Sequence, residues 1–398
     1  MKKKKSTIRL SGMLCVLVVF AALMSGEMLR GNQPVLRLNM ESDISLKNEV
    51  IHAIEKGLHW VLAQQDAEGF WSQREYPAIS ALALTALMGE PRGTYRTGTH
   101  PAIQKGYAYL LRCVKSDGGI YSEHLANYNT AVSMMALQVA NNPAYKEILL
   151  HARNFLIGLQ QDSKSQGKGE SLYDGGIGYG GRYKHSDMSN TMLALEAIYY
   201  TQYMSEDNKS GEWKQLDFPA AIQFIQRCQN LPSHNDQAWA TGDPKDKGGF
   251  IYFPGNSKKE EEDPKSGKRI LRSYGSISYA GLLSYIYARM DKNDPRVKAV
   301  YDWLRANYTL EENPGMGNQG LFYYYHTMAK ALSLYGVDEI LLEDGRKVNW
   351  RKELALKLLN LQNKDGYWVN ENNRWWEKDP ILVTSYTLIA LDILYKGL

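Results

Sequence analysis

Residues 64–71 read Gln64-Gln65-Asp66-Ala67-Glu68-Gly69-Phe70-Trp71, and the chain soon enters a second run, Ala78-Ile79-Ser80-Ala81-Leu82-Ala83-Leu84-Thr85-Ala86-Leu87-Met88. The first stretch is a glycine turn followed by aromatics. The second is a helix that is apolar nearly all round, and such a helix must be covered on both sides. The residues before the turn supply one cover. Val50, Ile54, Leu58, Val61 and Leu62 fall on one helical face while Glu55 and Lys56 fall elsewhere, so this helix keeps a wet side. An amphipathic outer helix, a glycine turn and a buried inner helix therefore form one unit.

The unit recurs six times. Its further turns contain Asp117-Gly118-Gly119-Ile120-Tyr121, Asp174-Gly175-Gly176-Ile177-Gly178-Tyr179, Gly248-Gly249-Phe250, Gly315-Met316-Gly317 and Asp365-Gly366-Tyr367-Trp368. Other all-round apolar runs are Thr130–Ala140, Met192–Tyr199, Ser276–Ala288 and Ile381–Leu394, and Pro101, Pro143, Pro219 and Pro295 mark starts of outer helices. Buried inner helices screened by amphipathic outer ones imply two concentric layers. The expected fold is all-α, an (α/α)6 toroid of six inner and six outer helices around a hollow. Strands are scarce, with local pairing expected at Gly249–Phe253. The loops Gly167–Lys184 and Pro232–Arg272 are long, and the second carries the mixed-charge run Lys258-Lys259-Glu260-Glu261-Glu262-Asp263, read as a solvated flap.

Composition excludes several classes. With 398 residues, 44% of them hydrophobic, a formal charge of +4 and 3 Cys, the chain is neither disordered nor a disulfide scaffold. Lys2, Lys3, Lys4, Lys5 and Arg9 stand without an acid in residues 1–26, so the remainder carries −1. No nucleic-acid partner is expected, because no basic stripe survives. Those residues read as a signal peptide of bacterial type: a basic start, an apolar run from Leu10 to Met24, then Ser25 and Gly26. The run is shorter than the roughly 20 residues a membrane span needs. The expected organisation is signal peptide 1–26, linker 27–45 and toroid 46–398. The mature protein is exported, periplasmic or extracellular, with no permanent transmembrane segment after cleavage and no stated oligomer. Cys113 and Cys228 end outer helices of separated units and read as free thiols.

The turns Gln64-Gln65-Asp66…Gly69-Phe70-Trp71 and Gln362-Asn363-Lys364-Asp365-Gly366-Tyr367-Trp368 resemble the Gln-Trp repeats of the squalene/hopene cyclase and protein prenyltransferase superfamily. The resemblance runs over essentially the whole mature chain and implies that superfamily's α/α toroid, with a small-molecule or lipid ligand in a central cavity. It does not carry the family's catalytic signatures. Terpene cyclases of class II protonate an alkene with Asp-x-Asp-Asp, which is absent. Prenyltransferases hold zinc with an Asp-x-Cys pair and a distant His. Arg272 and Tyr274 occupy the places of that pair, so no metal and no cofactor is expected, although Phe322-Tyr323-Tyr324-Tyr325-His326-Thr327 resembles the segment of the zinc histidine.

The candidate proton handlers are His326, Glu377 and Asp187. His326 adjoins three phenols at the start of the fifth inner helix, and a histidine there either moves protons or hydrogen-bonds within the wall. Asp187, in His185-Ser186-Asp187-Met188-Ser189-Asn190, either caps the third inner helix or serves as an acid. Glu377, in Arg374-Trp375-Trp376-Glu377-Lys378-Asp379-Pro380, lacks the capping position that Asp379 holds. Candidate binding residues are Arg272, Tyr274, Tyr324, Tyr325, Asn127, Asn190, Trp375 and Trp376. Arg272 either takes an anion by a two-point contact or pairs with the flap acids.

These features lead to an exported terpenoid cyclase/prenyltransferase-like protein acting on, or binding, a polyprenyl or triterpenoid-like lipid. Two alternatives stand beside it: a glycan-active toroid enzyme, and a non-catalytic ligand- or protein-binding toroid.

Overall fold

Five of the six turns are tied to their own inner helix by the hydroxyl that interrupts that helix's apolar run. The N–H groups of Trp71, Ile120, Ile177, Phe250 and Trp368 donate to the side-chain oxygens of Ser80, Thr130, Thr191, Ser278 and Thr384 at 2.9–3.0 Å. A buried N–H without such a partner would cost about 1–3 kcal/mol, so a hydroxyl recurs at this place in helices that otherwise exclude polar groups. The turn side chain, Trp71 or Trp368, is then fully buried between outer and inner helix.

The computed structural model describes residues 34–398 apart from 166, 182–184, 206–212, 265–266 and 268, and of residues 34–42 the backbone alone. The signal segment lies outside the described residues. The chain divides after Ser42; backbone 34–42 is helical, and residues 43–398 form the unit considered below. The outer helices are α1 (Pro34–Ala63), α3 (Pro101–Arg112), α5 (Lys146–Gly158), α7 (Phe218–Arg227), α9 (Pro295–Ala306) and α11 (Trp350–Asn360). They alternate with the inner helices α2 (Pro77–Gly89), α4 (Ala126–Val139), α6 (Met188–Thr201), α8 (Gly275–Tyr287), α10 (Leu321–Tyr335) and α12 (Pro380–Gly397). The segment read as linker up to residue 45 is helical from Pro34, because no further Pro or Gly separates that proline from the buried Leu46.

Successive inner helices touch in order, and α12 touches α2, so the ring closes. The toroid expected from the repeat is the fold. Outer units are joined by glutamines. Gln65 Nε2 donates to Gly69 O of its own turn and to Ala102 O of the next outer helix, at 2.9 and 2.8 Å. Gln160 and Gln229 repeat the clamp, and Gln362 closes the circle by donating to Gly366 O and to Ala53 O of α1. Glycine is required beneath that closure. Gly366 has φ +105°, and a Cβ there would stand 2.7 Å from Lys56 O.

The fifth turn departs from the pattern. It curls under α8, where Asn313 Oδ1 accepts from Ser276 N at 2.8 Å and Pro314 O accepts from Gly275 N at 2.9 Å. Strand content among the described residues is slight. An antiparallel hairpin, β1 (Glu260–Glu262) with β2 (Arg269–Leu271), forms the charged flap, and β3 (Ile340–Leu341) pairs with β4 (Lys347–Val348). Gly249–Phe253 makes only isolated bridges, Phe250 with Gln229 and Phe253 with Asn256. Cys113 and Cys228 are free and buried.

Candidate functional site

All six inner helices begin at the same end of the ring, and several are capped by the unit that follows. Asn129 Oδ1 accepts from Ala78 N of α2, Tyr179 O accepts from Asn127 N of α4, and Asn313 caps α8. Helix α10 starts at Gly320, which offers no side chain, and Glu377 supplies the missing cap from the last unit. Its Oε1 accepts from Tyr323 N at 2.7 Å, and its Oε2 from Phe322 N at 3.4 Å and Asn370 Nδ2 at 2.6 Å. Helices α6 and α12 carry their own caps, Asp187 and Asp379, and Ser72 of the first unit donates to Asp379. Cross-unit caps thus form the rim of the hollow.

Within this rim lies a cavity of about 610 Å³. Its wall includes Leu125 and Tyr128 of the second unit, Tyr179, Asn190 and Leu193 of the third, Tyr252, Tyr274 and Ile277 of the fourth, Tyr323 of the fifth, and Trp375, Trp376, Glu377, Leu382 and Tyr386 of the sixth. Burial pushes the phenols of Tyr128, Tyr274, Tyr323 and Tyr386 above their ordinary range, and Tyr179 up to about 12, so these phenols stay neutral. Tyr128 and Tyr386 hydroxyls meet across the wall at 3.4 Å.

Glu377 is the one carboxyl among the lining residues. It is 1% exposed, and burial raises it to about 7 although several N–H donors pull the other way. Asp187 stands behind the wall, fully buried. Its Oδ1 accepts from Asn190 N at 3.0 Å and its Oδ2 from Asn190 Nδ2 at 2.8 Å, and Tyr252 also bonds to it. Burial raises it to about 6. It reaches the cavity through two lining residues, Asn190 and Tyr252.

The remaining candidates separate. His326 is buried deeper along α10, its Nδ1 3.3 Å from Tyr386 O and its ring 4.9 Å from the Tyr386 ring. Burial, with Lys330 beside it, lowers it to about 3, so the imidazole is neutral. Tyr324 and Tyr325 donate to Thr309 O and Leu310 O and lie outside the lining. Asn127 Nδ2 donates to Gly178 O and Asn190 O at 3.0 Å and so fixes Asn190. Arg272 pairs with Asp246 at 2.6 Å, Glu261 at 2.8 Å and Asp243 at 3.1 Å, tying the flap to the loop beneath it. Tyr274, Asn190, Trp375 and Trp376 line the cavity.

Sequence reading missed three features. Tyr128, Tyr179, Tyr252, Tyr323 and Tyr386 come from five units, and no local motif unites them. Lys258, inside the run read as a solvated flap, sits 4.1 Å over the Tyr252 ring, and Arg374 sits 5.2 Å over Trp375, so two cations flank the mouth. Glu196 of α6 and Lys330 of α10 form an ion pair across the hollow, since α8 stands between those helices in the ring. A glutamate and a lysine on apolar helices were the available signal, because neither is buried without a partner.

No protein-family model matches the chain, and no curated protein matches it. Among solved structures the chain is similar to the type II terpene cyclase MstE from Scytonema, in complex with merosterolic acid A as product. The identity is 12%, over 89% of this chain and 99% of that one, with a TM-score of 0.55. The same enzyme in complex with geranylgeranyl dihydroxybenzoate as substrate gives 10% identity, the same coverage and a TM-score of 0.52. A protein geranylgeranyltransferase-I from Candida albicans complexed with GGPP gives 14% identity over 86% of this chain and 90% of that one, with a TM-score of 0.49. The α/α toroid read from the Gln-Trp turns is thus a fold that this chain shares, over 89% of its length, with a type II terpene cyclase.

Proposed function

We propose that this chain is an exported protein that holds a polyprenyl or triterpenoid-like lipid in its central cavity and handles protons there with Glu377. One observation carries the reading: a cavity of about 610 Å³ walled by aromatic and aliphatic side chains, with a single carboxyl among its lining residues. Neutral phenols and indoles offer apolar surface to a hydrocarbon and π faces to positive charge developing along it. The ligands of the MstE structures, a geranylgeranyl-bearing substrate and a merosterolic acid, support that ligand class.

The chemistry follows from acidity. A carboxyl near 7 is too weak an acid to protonate an unactivated alkene, the task of the absent Asp-x-Asp-Asp motif. It suits removing a proton from carbon beside a cationic centre, or exchanging one with a polarised group. Asp187 acts through Tyr252 and Asn190, and His326 remains a wall residue. Export rests on the basic start and apolar run of residues 1–26.

The test is titration of the purified protein with geranylgeraniol and with squalene, followed by tryptophan fluorescence. Saturable binding that Leu193→Trp abolishes by filling the cavity supports the reading. Absence of binding, or binding indifferent to that substitution, refutes it. Glu377→Gln should retain the ligand and lose turnover. Cell fractionation with N-terminal sequencing tests export, and retention of residues 1–26 on a cytoplasmic product would contradict it.

A further inference from the structure

Beside the central cavity lies a second, more open hollow of about 810 Å³, at the seam where the sixth unit meets the first. Asn373 and Trp376 line both spaces, so the two adjoin through one indole and one amide. Their chemistry is opposite. The inner space is walled by rings and aliphatic groups, whereas the outer one presents Gln64, Gln73, Asn373 and Lys378. Two carboxylates also face it: Asp66 accepts from Glu68 N through Oδ1, and Asp379 caps α12 and accepts from Ser72.

The dividing wall is strained. Trp375 and Trp376 both have left-handed backbone, φ +54° and +64°, which bulky residues rarely adopt, and such strain persists only where the surroundings hold it. Here the Trp376 ring packs on Tyr76 at 4.5 Å, and the Trp375 ring fills the space above Gly320. The result is that Trp376, more than a third exposed, stands between an apolar chamber and a polar trough, with Trp375 beside it on the chamber side.

We propose that the trough is a head-group subsite: the ligand is an amphiphile whose isoprenoid tail enters the central cavity while an uncharged, hydroxyl-rich head, of the chemistry of a sugar, lies in the trough against Trp376. This rests on the reading of the cavity as a lipid site. Three amides both donate and accept, as hydroxyls do, and an indole face suits the C–H face of a sugar ring. A phosphate head fits the trough poorly, because Lys378 is its one cation and Asp66 and Asp379 stand beside it. Such a head belongs instead near Lys258 and Arg374, which makes it the competing outcome.

The experiment compares geranylgeraniol, geranylgeranyl β-glucoside and geranylgeranyl phosphate by calorimetric titration of the full chain. The glucoside is expected to bind about tenfold more tightly than the alcohol, the equivalent of one or two net hydrogen bonds. Gln73→Ala combined with Lys378→Ala should remove that advantage and leave the alcohol unchanged; both residues are exposed, so folding is not at risk. Equal binding of alcohol and glucoside overturns the head-group subsite while leaving the cavity reading intact. So does an advantage that survives the double variant. A preference for the phosphate that Lys258→Ala and Arg374→Ala abolish overturns it in favour of the cationic rim. Failure of the alcohol itself to bind removes the cavity reading, and this inference with it.

Discussion

Glu377 Oε1 accepts the Tyr323 N–H at 2.7 Å, so a side chain of the sixth unit caps the inner helix of the fifth. One carboxyl therefore both closes a helix terminus and faces the cavity. A capping carboxylate with several N–H donors would ordinarily be held ionised, but burial dominates and raises it to about 7.

That balance sets a pH dependence. The folded carboxyl is weaker than the unfolded one, so its stabilising share is complete below the unfolded value of about 4.5 and fades as pH rises through about 7. Asp187, raised to about 6, adds in the same direction. Thermal melting between pH 5 and pH 8 should show wild-type stability falling more steeply than that of Glu377→Gln, which cannot ionise. Parallel slopes would contradict the assignment.

The Glu196–Lys330 pair sits where water is largely excluded, with side chains 6% and 16% exposed. Glu196→Gln alone should cost about 3–5 kcal/mol in urea denaturation, because it strands the ammonium. A paired change, Glu196→Leu with Lys330→Met, should restore most of the loss. Additive losses would show that the two charges do not interact.

Ring closure depends on Gly366. Gly366→Ala should destabilise by about 2–4 kcal/mol, combining a disfavoured left-handed backbone with overpacking against Lys56 O. Gly345→Ala is the control. It also has positive φ, +84°, but nothing lies within 4 Å of its added methyl, so only the backbone share, about 1–2 kcal/mol, should be lost. Equal effects would remove the close approach as a cause.

Arg272 holds the flap through three carboxylates, of which Asp246 is nearly buried. Arg272→Met should speed limited proteolysis within residues 258–272, while Arg272→Lys, keeping charge but not the fork, should give an intermediate rate. Unchanged cleavage would mean that the hairpin is held by its backbone pairing alone.

The helices, the six turns and the order of outer and inner layers were legible because each rests on local chemistry: apolar period, glycine at a positive φ, and proline at a start. Asp187 was legible as a cap for the same reason, since its main partners are N–H groups three residues on. Glu377 was legible only as an acid without an evident local role. What it does for α10 depends on a neighbour 54 residues away in the chain.

By itself the sequence determined a twelve-helix ring, because periodicity and turn chemistry act over a few residues and repeat. Tertiary structure decided what the ring encloses. It alone brings phenols from separate units to one wall, places Lys258 over Tyr252, commits Arg272 to the flap and sets Trp376 between two chambers of opposite polarity. Those relations join residues far apart in sequence, and their energies, set by burial and by distance through space, exist only once the circle has closed.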